Sequence, residues 1–367
     1  MKRIWIGVLA AVVMAGTGYL AVVRPWEEMS VTQVFERQLQ VSASGFGVGG
    51  PLVWVLPEVL VVGLAGTLQA WDVSTGTLKW ELAVKTKIDA VTTGDGVLYL
   101  AEDDIHMAGS PPRLRVIDGN TGQEILEGIN TAAPNLIQCM VWVPAVRRLA
   151  VVAYEGLLVY DEKLALTQQV PCKIIGPIAS VCGGELLLST VRGLSLGVDL
   201  QSGSRYPLSG DVSKEEHLDL AVADGQNISS TYHHPDGSFI QVIHGGWGND
   251  CIRFFQGITP QSPLQPDQAD PEAIVSPGAA GSGLPVEVAS ANGHYADVCW
   301  PGKWLAVSGT GDGLAFYATE NGKRLMILRQ ATASGVIHLR VSPDGGKVAA
   351  LTEQGKLHVW MVKRKGG

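Results

Sequence analysis

Leu68-Gln69-Ala70-Trp71-Asp72-Val73-Ser74-Thr75-Gly76-Thr77-Leu78-Lys79-Trp80 reads as two short strands joined by a turn. Asp, Ser and Gly are turn formers, each by its own mechanism, and the flanking residues are apolar, aromatic or alternating. The pattern returns as Leu114-Arg115-Val116-Ile117-Asp118 with Asn120-Thr121-Gly122, then as Leu157-Leu158-Val159-Tyr160-Asp161. A fourth copy is Leu196-Gly197-Val198-Asp199 with Ser202-Gly203. Looser copies are Ile252–Gln256, Leu314–Ala318 with Asn321-Gly322, and Leu357–Met361. Successive copies are spaced 46, 43, 38, 57, 62 and 43 residues apart. Four of these intervals lie near the period of roughly 40–50 residues that marks propeller blades.

Each unit also contains further short strands. Around the second copy, Ile88–Thr92, Val97–Ala101, Leu114–Asp118 and Glu124–Glu127 are separated by Gly, Asp, Asn or Pro. Four antiparallel strands per repeat make one blade. The expected fold is therefore all-β, a seven-bladed β-propeller over residues 27–367, with eight blades as the alternative. The last unit lacks a fourth strand, whereas Ser30–Val41 alternates and belongs to no N-terminal unit. Pairing that stretch beside the last unit would close the ring and leave no long open edge.

Composition agrees with this reading. Of 367 residues, 45 are Gly and 17% are charged, against roughly 25% charged in ordinary soluble domains. The net charge of −8 argues against nucleic-acid binding, which needs a basic footprint.

Lys2 and Arg3 precede an apolar run from Ile4 to Val23 that Arg24 closes. Twenty residues match a hydrocarbon core of roughly 30 Å, so residues 1–26 read as a signal anchor forming one transmembrane helix. Positive charge before the span places the N-terminus in the cytoplasm and the ring on the extracytoplasmic side, in the periplasm, at the cell surface or in the endoplasmic-reticulum lumen. A cleaved signal and a secreted ring is the competing reading. Removing Lys2, Arg3 and Arg24 from the 27 basic residues leaves 24 against 35 acidic ones on the exported part. The five cysteines, Cys139, Cys172, Cys182, Cys251 and Cys299, include no Cys-x-x-Cys pair. A structural zinc or thioredoxin-type site is thereby unsupported, and the odd count leaves at least one thiol free.

Ser342-Pro343-Asp344-Gly345-Gly346-Lys347-Val348-Ala349-Ala350-Leu351, continuing to Gly355-Lys356-Leu357-His358-Val359-Trp360, resembles a WD-repeat blade. Gly293-His294 with Ser308, Asp312 and Tyr317 resembles that family's structural hydrogen-bonded set, with Tyr317 standing where Trp is usual. Leu68–Trp80 is more similar to the quinoprotein-type repeat. The resemblance covers most of residues 40–367 and speaks for fold rather than function.

Strand direction within a four-stranded blade puts first and third turns at one end. Second turns and the links between blades lie at the other. On this reading the second set holds the length: Glu102–Pro112, Glu127–Pro134, Gly210–Gln226, His244–Asp250 and Gly257–Gly293. Long loops on a rigid scaffold are where binding concentrates. The candidate binding residues there are Asp103, Asp104 and His106 in one loop, and Trp247, Asn249 and Asp250 in another. Residues 259–289 hold six prolines and read as a disordered insertion between the fifth and sixth units. Glu215-Glu216-His217 has nothing beside it in sequence that would orient it for catalysis, and His233-His234, before the Pro235-Asp236-Gly237 turn, read as structural residues at the end of an inner strand. No catalytic set, metal site or cofactor is assigned. The expected function is a membrane-tethered scaffold that binds protein partners through its long-loop face. The competing class is a quinoprotein-like or lactonase-like enzyme using the central channel.

Overall fold

The computed structural model describes residues 29–39, 51–64, 66–84, 87–103, 111–131, 137–153, 156–171, 178–182, 184–189, 195–207, 226–233, 239–245, 251–256, 286–292, 295–309, 313–329 and 335–364. Among them every regular element is a strand, and no helix is long and apolar enough to cross a membrane. The anchor expected over residues 1–26 lies outside the described residues.

Among the described residues the strands form seven four-stranded antiparallel sheets. After β1 (Met29–Gln38), the first sheet is β2 (Leu52–Leu56), β3 (Val59–Leu64), β4 (Thr67–Asp72) and β5 (Thr77–Ala83). The second is β6 (Lys87–Gly94), β7 (Val97–Asp103), β8 (Arg113–Asp118) and β9 (Glu124–Asn130). The third is β10 (Ile137–Val143), β11 (Arg148–Ala153), β12 (Gly156–Tyr160) and β13 (Leu166–Pro171). The fourth is β14 (Ile178–Cys182), β15 (Glu185–Ser189), β16 (Ser195–Asp199) and β17 (Arg205–Pro207). The fifth is β18 (Gln226–His233), β19 (Phe239–Gly245), β20 (Cys251–Gln256) and β21 (Val286–Asn292). The sixth is β22 (Tyr295–Cys299), β23 (Trp304–Gly309), β24 (Gly313–Ala318) and β25 (Arg324–Leu328). The seventh takes β26 (Val336–Val341), β27 (Lys347–Thr352) and β28 (Lys356–Arg364) from the C-terminus and β1 from the N-terminus.

Neighbouring sheets touch through their first strands: β26 meets β22 and β2, and the contacts run on through β6, β10 and β14 to β18. Tyr232 of β18 donates its hydroxyl proton to the carbonyl of Ala296 in β22 at 2.6 Å, which completes the circuit. The arrangement is consistent with a propeller. The described residues share no single core. Apolar clusters instead sit between successive sheets, as with Trp304, Phe316, Leu339 and Trp360 between the sixth and seventh. Phe35, Trp54, Leu60 and Val359 do the same between the seventh and first. A central strand of such a stack is covered on both faces, and β3, β12 and β27 are buried along their whole length.

Third turns share one device. Asp72 Oδ1 accepts the Ser74 hydroxyl at 2.6 Å and the N–H groups of Ser74 and Thr75. Asp118 and Asp199 repeat the contacts with Asn120 and Thr121, and with Gln201 and Ser202. The Ser74 hydroxyl holds the Asp72 carboxyl below its usual range against the burial that opposes it. At Asp118 and Asp199 burial pulls upward and is outweighed by the turn's donors. Gly76, at φ +71°, closes the first of these turns by donating to the Asp72 carbonyl at 2.8 Å, a backbone shape that L side chains resist. In six of the seven sheets the fourth strand carries a β-bulge near this end, with Lys79, Ile125, Thr167, Val288, Leu325 and Val34 as the extra residues, whereas the β16–β17 ladder is regular. All six bulges fall at the same level of the third strand, where they twist an outer edge away from further pairing.

Two boundaries differ from those read in the sequence. The proline-rich stretch expected over residues 259–289 does not separate two sheets, because Val286–Asn292 is the fourth strand of the fifth sheet. Without it β20 would present an unpaired edge, and the β-prone Val-Glu-Val begins immediately after the last proline, Pro285. Residues 257–285 are therefore a third turn, at the opposite end of the ring from the other long connections. The alternating N-terminal stretch ends at Gln38 as a strand rather than at Val41, which lies outside the described residues.

Closure rests on β1 lying antiparallel to β28, with Met29 opposite Arg364 and Gln38 opposite Lys356. Met29, Val31 and Phe35 are buried, so the strand contributes side chains to two inter-sheet clusters. Lys356 Nζ meets Glu36 Oε1 at 2.5 Å across the pair. The His358 ring stacks on Trp360, 5.4 Å between centroids. Its Nδ1 lies 3.4 Å from Glu36 Oε2 but out of hydrogen-bonding alignment, and both ring nitrogens are buried without a partner. Burial lowers the His358 pKa; Glu36 pulls it up and Lys356 pushes it down again.

Two outcomes are expected. A histidine held neutral by burial contributes stability that is present above its ordinary value of 6.5 and is lost as pH falls below it. The denaturant midpoint should thus hold from pH 7.5 to about 6.5 and decline on further acidification, and His358→Phe should flatten that decline. Replacing Asp118 by Ala should cost about 1 kcal/mol in the same measurement, through loss of the turn's acceptor.

Candidate functional site

Two regions compete, the end of the ring carrying second turns and inter-sheet links, and the axis lined by the first strands. At the loop end, the connection after β7 covers residues 104–112 and that after β19 covers 246–250. Both are second turns, so the topology brings them to one end of the ring, in the second and fifth sheets. Asp104, His106, Trp247, Asn249 and Asp250 lie outside the described residues. Asp103 is the last residue of β7, paired in register with Lys87 of β6. The residue before it, Glu102, is not available to a ligand. It is buried and accepts Arg115 Nη1 at 2.7 Å, and Arg115 also reaches Glu124 at 3.2 Å.

Of the residues resembling a WD-type structural set, Ser308 is buried on β23, opposite Tyr295 and Leu314. Tyr317 on β24 faces the fifth sheet, its ring 6.5 Å from that of Phe254. His294 and Asp312 lie outside the described residues. Cys139, Cys251 and Cys299 are free thiols, and burial pushes that of Cys139 up to about 12, which makes it inert at neutral pH.

The axis is held by hydrogen bonds that pass from one first strand to the next. Trp54 Nε1 of β2 donates to the Arg340 carbonyl of β26 at 3.1 Å. Thr93 Oγ1 of β6 donates to the Trp54 carbonyl at 2.8 Å, and the Trp142 N–H of β10 donates to Thr92 Oγ1 at 3.4 Å. The Val341 N–H donates to Asp297 Oδ2 of β22 at 2.7 Å. These bonds satisfy polar groups on strand edges that no fifth strand covers. Trp142 stacks on Tyr99 at 5.0 Å and presses so close to Gly94 that a Cβ there would fall inside its ring.

Three titratable groups gather on two of these strands. Burial raises the Asp297 pKa, while the Arg340 charge and the N–H groups of Val341 and Val298 oppose the rise. His338 is pushed down to about 4 by burial and by Arg340. Arg340 is exposed and donates to the Leu339 carbonyl at 2.9 Å. Asp297 is thus occupied in tying two sheets together, and His338 is held neutral. Among the described residues no three His, Cys, Asp or Glu side chains converge as a metal would require.

Sequence reading passed over Asp297, His338 and Arg340. For Arg340 a signal was present: it stands three residues before Pro343, as Trp54 does before Pro57, and both prolines lie just past first strands. A cavity of about 260 Å³ opens between the third and fourth sheets, walled by Val146, Arg148, Thr167, Gln168, Leu200 and Gln201. It sits at the short-turn end and falls below the roughly 300–1,000 Å³ usual for small-molecule sites.

No family model matches the chain, and no curated protein shows significant similarity to it. The functional reading therefore rests on the molecule's own geometry.

Asp297→Ala should leave the Val341 N–H without its acceptor and lower stability by about 1–3 kcal/mol in a chemical melt. Gly94→Ala should cost a similar about 1–3 kcal/mol by displacing Trp142, with a matching loss of near-ultraviolet circular dichroism from the stacked Tyr99 and Trp142.

Proposed function

We propose that the chain is a membrane-tethered, extracytoplasmic seven-bladed β-propeller of the WD-repeat and quinoprotein-like kind, acting as a protein-interaction scaffold. The observation that carries the reading is the distribution of chain length around the ring. Residues 104–112, 172–177, 190–194, 208–225 and 246–250 all connect strands at one end, on sheets locked to each other at the axis. At the opposite end the third turns of the first four sheets and the sixth are four or five residues long, the first four closed on their own aspartates. A rigid ring with its variable connections gathered at one end presents a preformed surface, and binding through it demands little rearrangement. The acidic balance of the exported part favours a basic or neutral partner surface.

The groups at the axis support binding better than catalysis. Asp297 is engaged by backbone donors, His338 is neutral, and Arg340 is the exposed charge. Crosslinked capture of the full chain from its native membrane, followed by mass spectrometry, tests the scaffold reading. A recurrent protein partner is expected, and Asp103→Lys with Asp104→Lys should abolish its capture. Unchanged capture would remove that loop from the interface. A stoichiometric metal in the purified protein would shift the assignment to an enzyme.

A further inference from the structure

Large apolar side chains in a ring of this kind belong between sheets, yet four on its outer edge are exposed. They are Val34, Leu78, Ile125 and Leu166, at 40%, 43%, 48% and 43% exposure. Their placement is not scattered. Val34 on β1 and Ile125 on β9 are themselves the extra residues of the repeated bulge. Leu78 on β5 and Leu166 on β13 precede the bulged Lys79 and Thr167 and pair with Trp71 and Tyr160. All four stand on fourth strands, within a residue of the bulge, close to the third turns. They occupy four successive sheets, the seventh, first, second and third. In the sixth sheet the bulged residue, Leu325, is 5% exposed, so the bulge does not by itself force exposure.

The seventh sheet is also where the chain enters. Met29 lies opposite Arg364, three residues beyond the level of Met361, which occupies the position of the turn aspartates. β1 therefore begins at the short-turn end. Five residues, Arg24 to Glu28, separate Met29 from the end of the apolar run at Val23. At 3.3–3.6 Å per residue they reach about 20 Å at most. Trp26 lies within that reach, a residue type that settles at the headgroup level.

We infer that the short-turn rim of these four sheets rests on the bilayer surface, with Val34, Leu78, Ile125 and Leu166 dipping into the headgroup region. The inference rests on the reading of residues 4–23 as a membrane span and extends it by giving the ring an orientation. A short tether and an apolar rim at the same end hold the long-loop end facing away from the membrane, open to partners.

A photoreactive benzoyl-phenylalanine placed at Leu78, Ile125 or Leu166 of the full chain, in phosphatidylcholine proteoliposomes, reads the contact directly. Position 354, exposed in the second turn of the seventh sheet, serves as control. Lipid adducts at the three rim positions with background at position 354 are expected. Absence of rim adducts, equal labelling of position 354, or adducts to protein in native membranes would each overturn the orientation. Carbonate extraction of the same samples separates this failure from that of the span. Protein that stays in the membrane without rim adducts retains its anchor and loses the docking, whereas protein released by carbonate lacks the anchor on which the docking depends.

Discussion

Everything in this molecule depends on the meeting of its two ends. Among the described residues the sheets are stacked face to face without a common core, and each buries its apolar residues against the sheets beside it. An open stack would leave two such faces in water. The pairing of β1 with β28 prevents this, because Met29 and Val31 complete the cluster between the sixth and seventh sheets while Phe35 completes that between the seventh and first. A contact spanning more than 300 residues is costly in chain entropy, and the combination of ladder, apolar side chains and the Glu36–Lys356 pair offsets it.

The axis is the second place where the ring is fastened. Asp297, Thr92, Thr93, Trp54 and Tyr232 carry hydrogen bonds between first strands. The Asp297 carboxyl, which looks reactive in isolation, is explained by this structural work.

Much of the architecture is legible in the repeats. Asp72, Asp118, Asp161 and Asp199 mark the ends of third strands, and each accepts backbone N–H groups from the turn that follows. Those turns are local, so short-range chemistry suffices to specify them. The alternating N-terminal stretch is legible for the same reason, since its side chains must fit two neighbours. The fifth sheet is not legible in this way. Residues 257–285 separate β20 from its partner β21, and no local signal says that Val286–Asn292 returns to the same sheet. The candidate site was legible only as a set of connections. Glu102 reads as part of an acidic cluster, and its pairing with Arg115 comes from the next strand in the ladder.

The sequence by itself determined the strand count per repeat, the turn chemistry and the need for a closing strand, because each follows from period, turn residues and an unpaired edge. Tertiary structure alone decided which residues meet across sheets. Asp297 reaches Val341 over 44 residues and Trp54 reaches Arg340 over 286. It also set the fourth-strand bulges at a common level, leaving Val34, Leu78, Ile125 and Leu166 exposed on one rim. The physical reason is that alternation in a strand says which side chains share a face. Whether that face meets protein, water or lipid is settled by the neighbour.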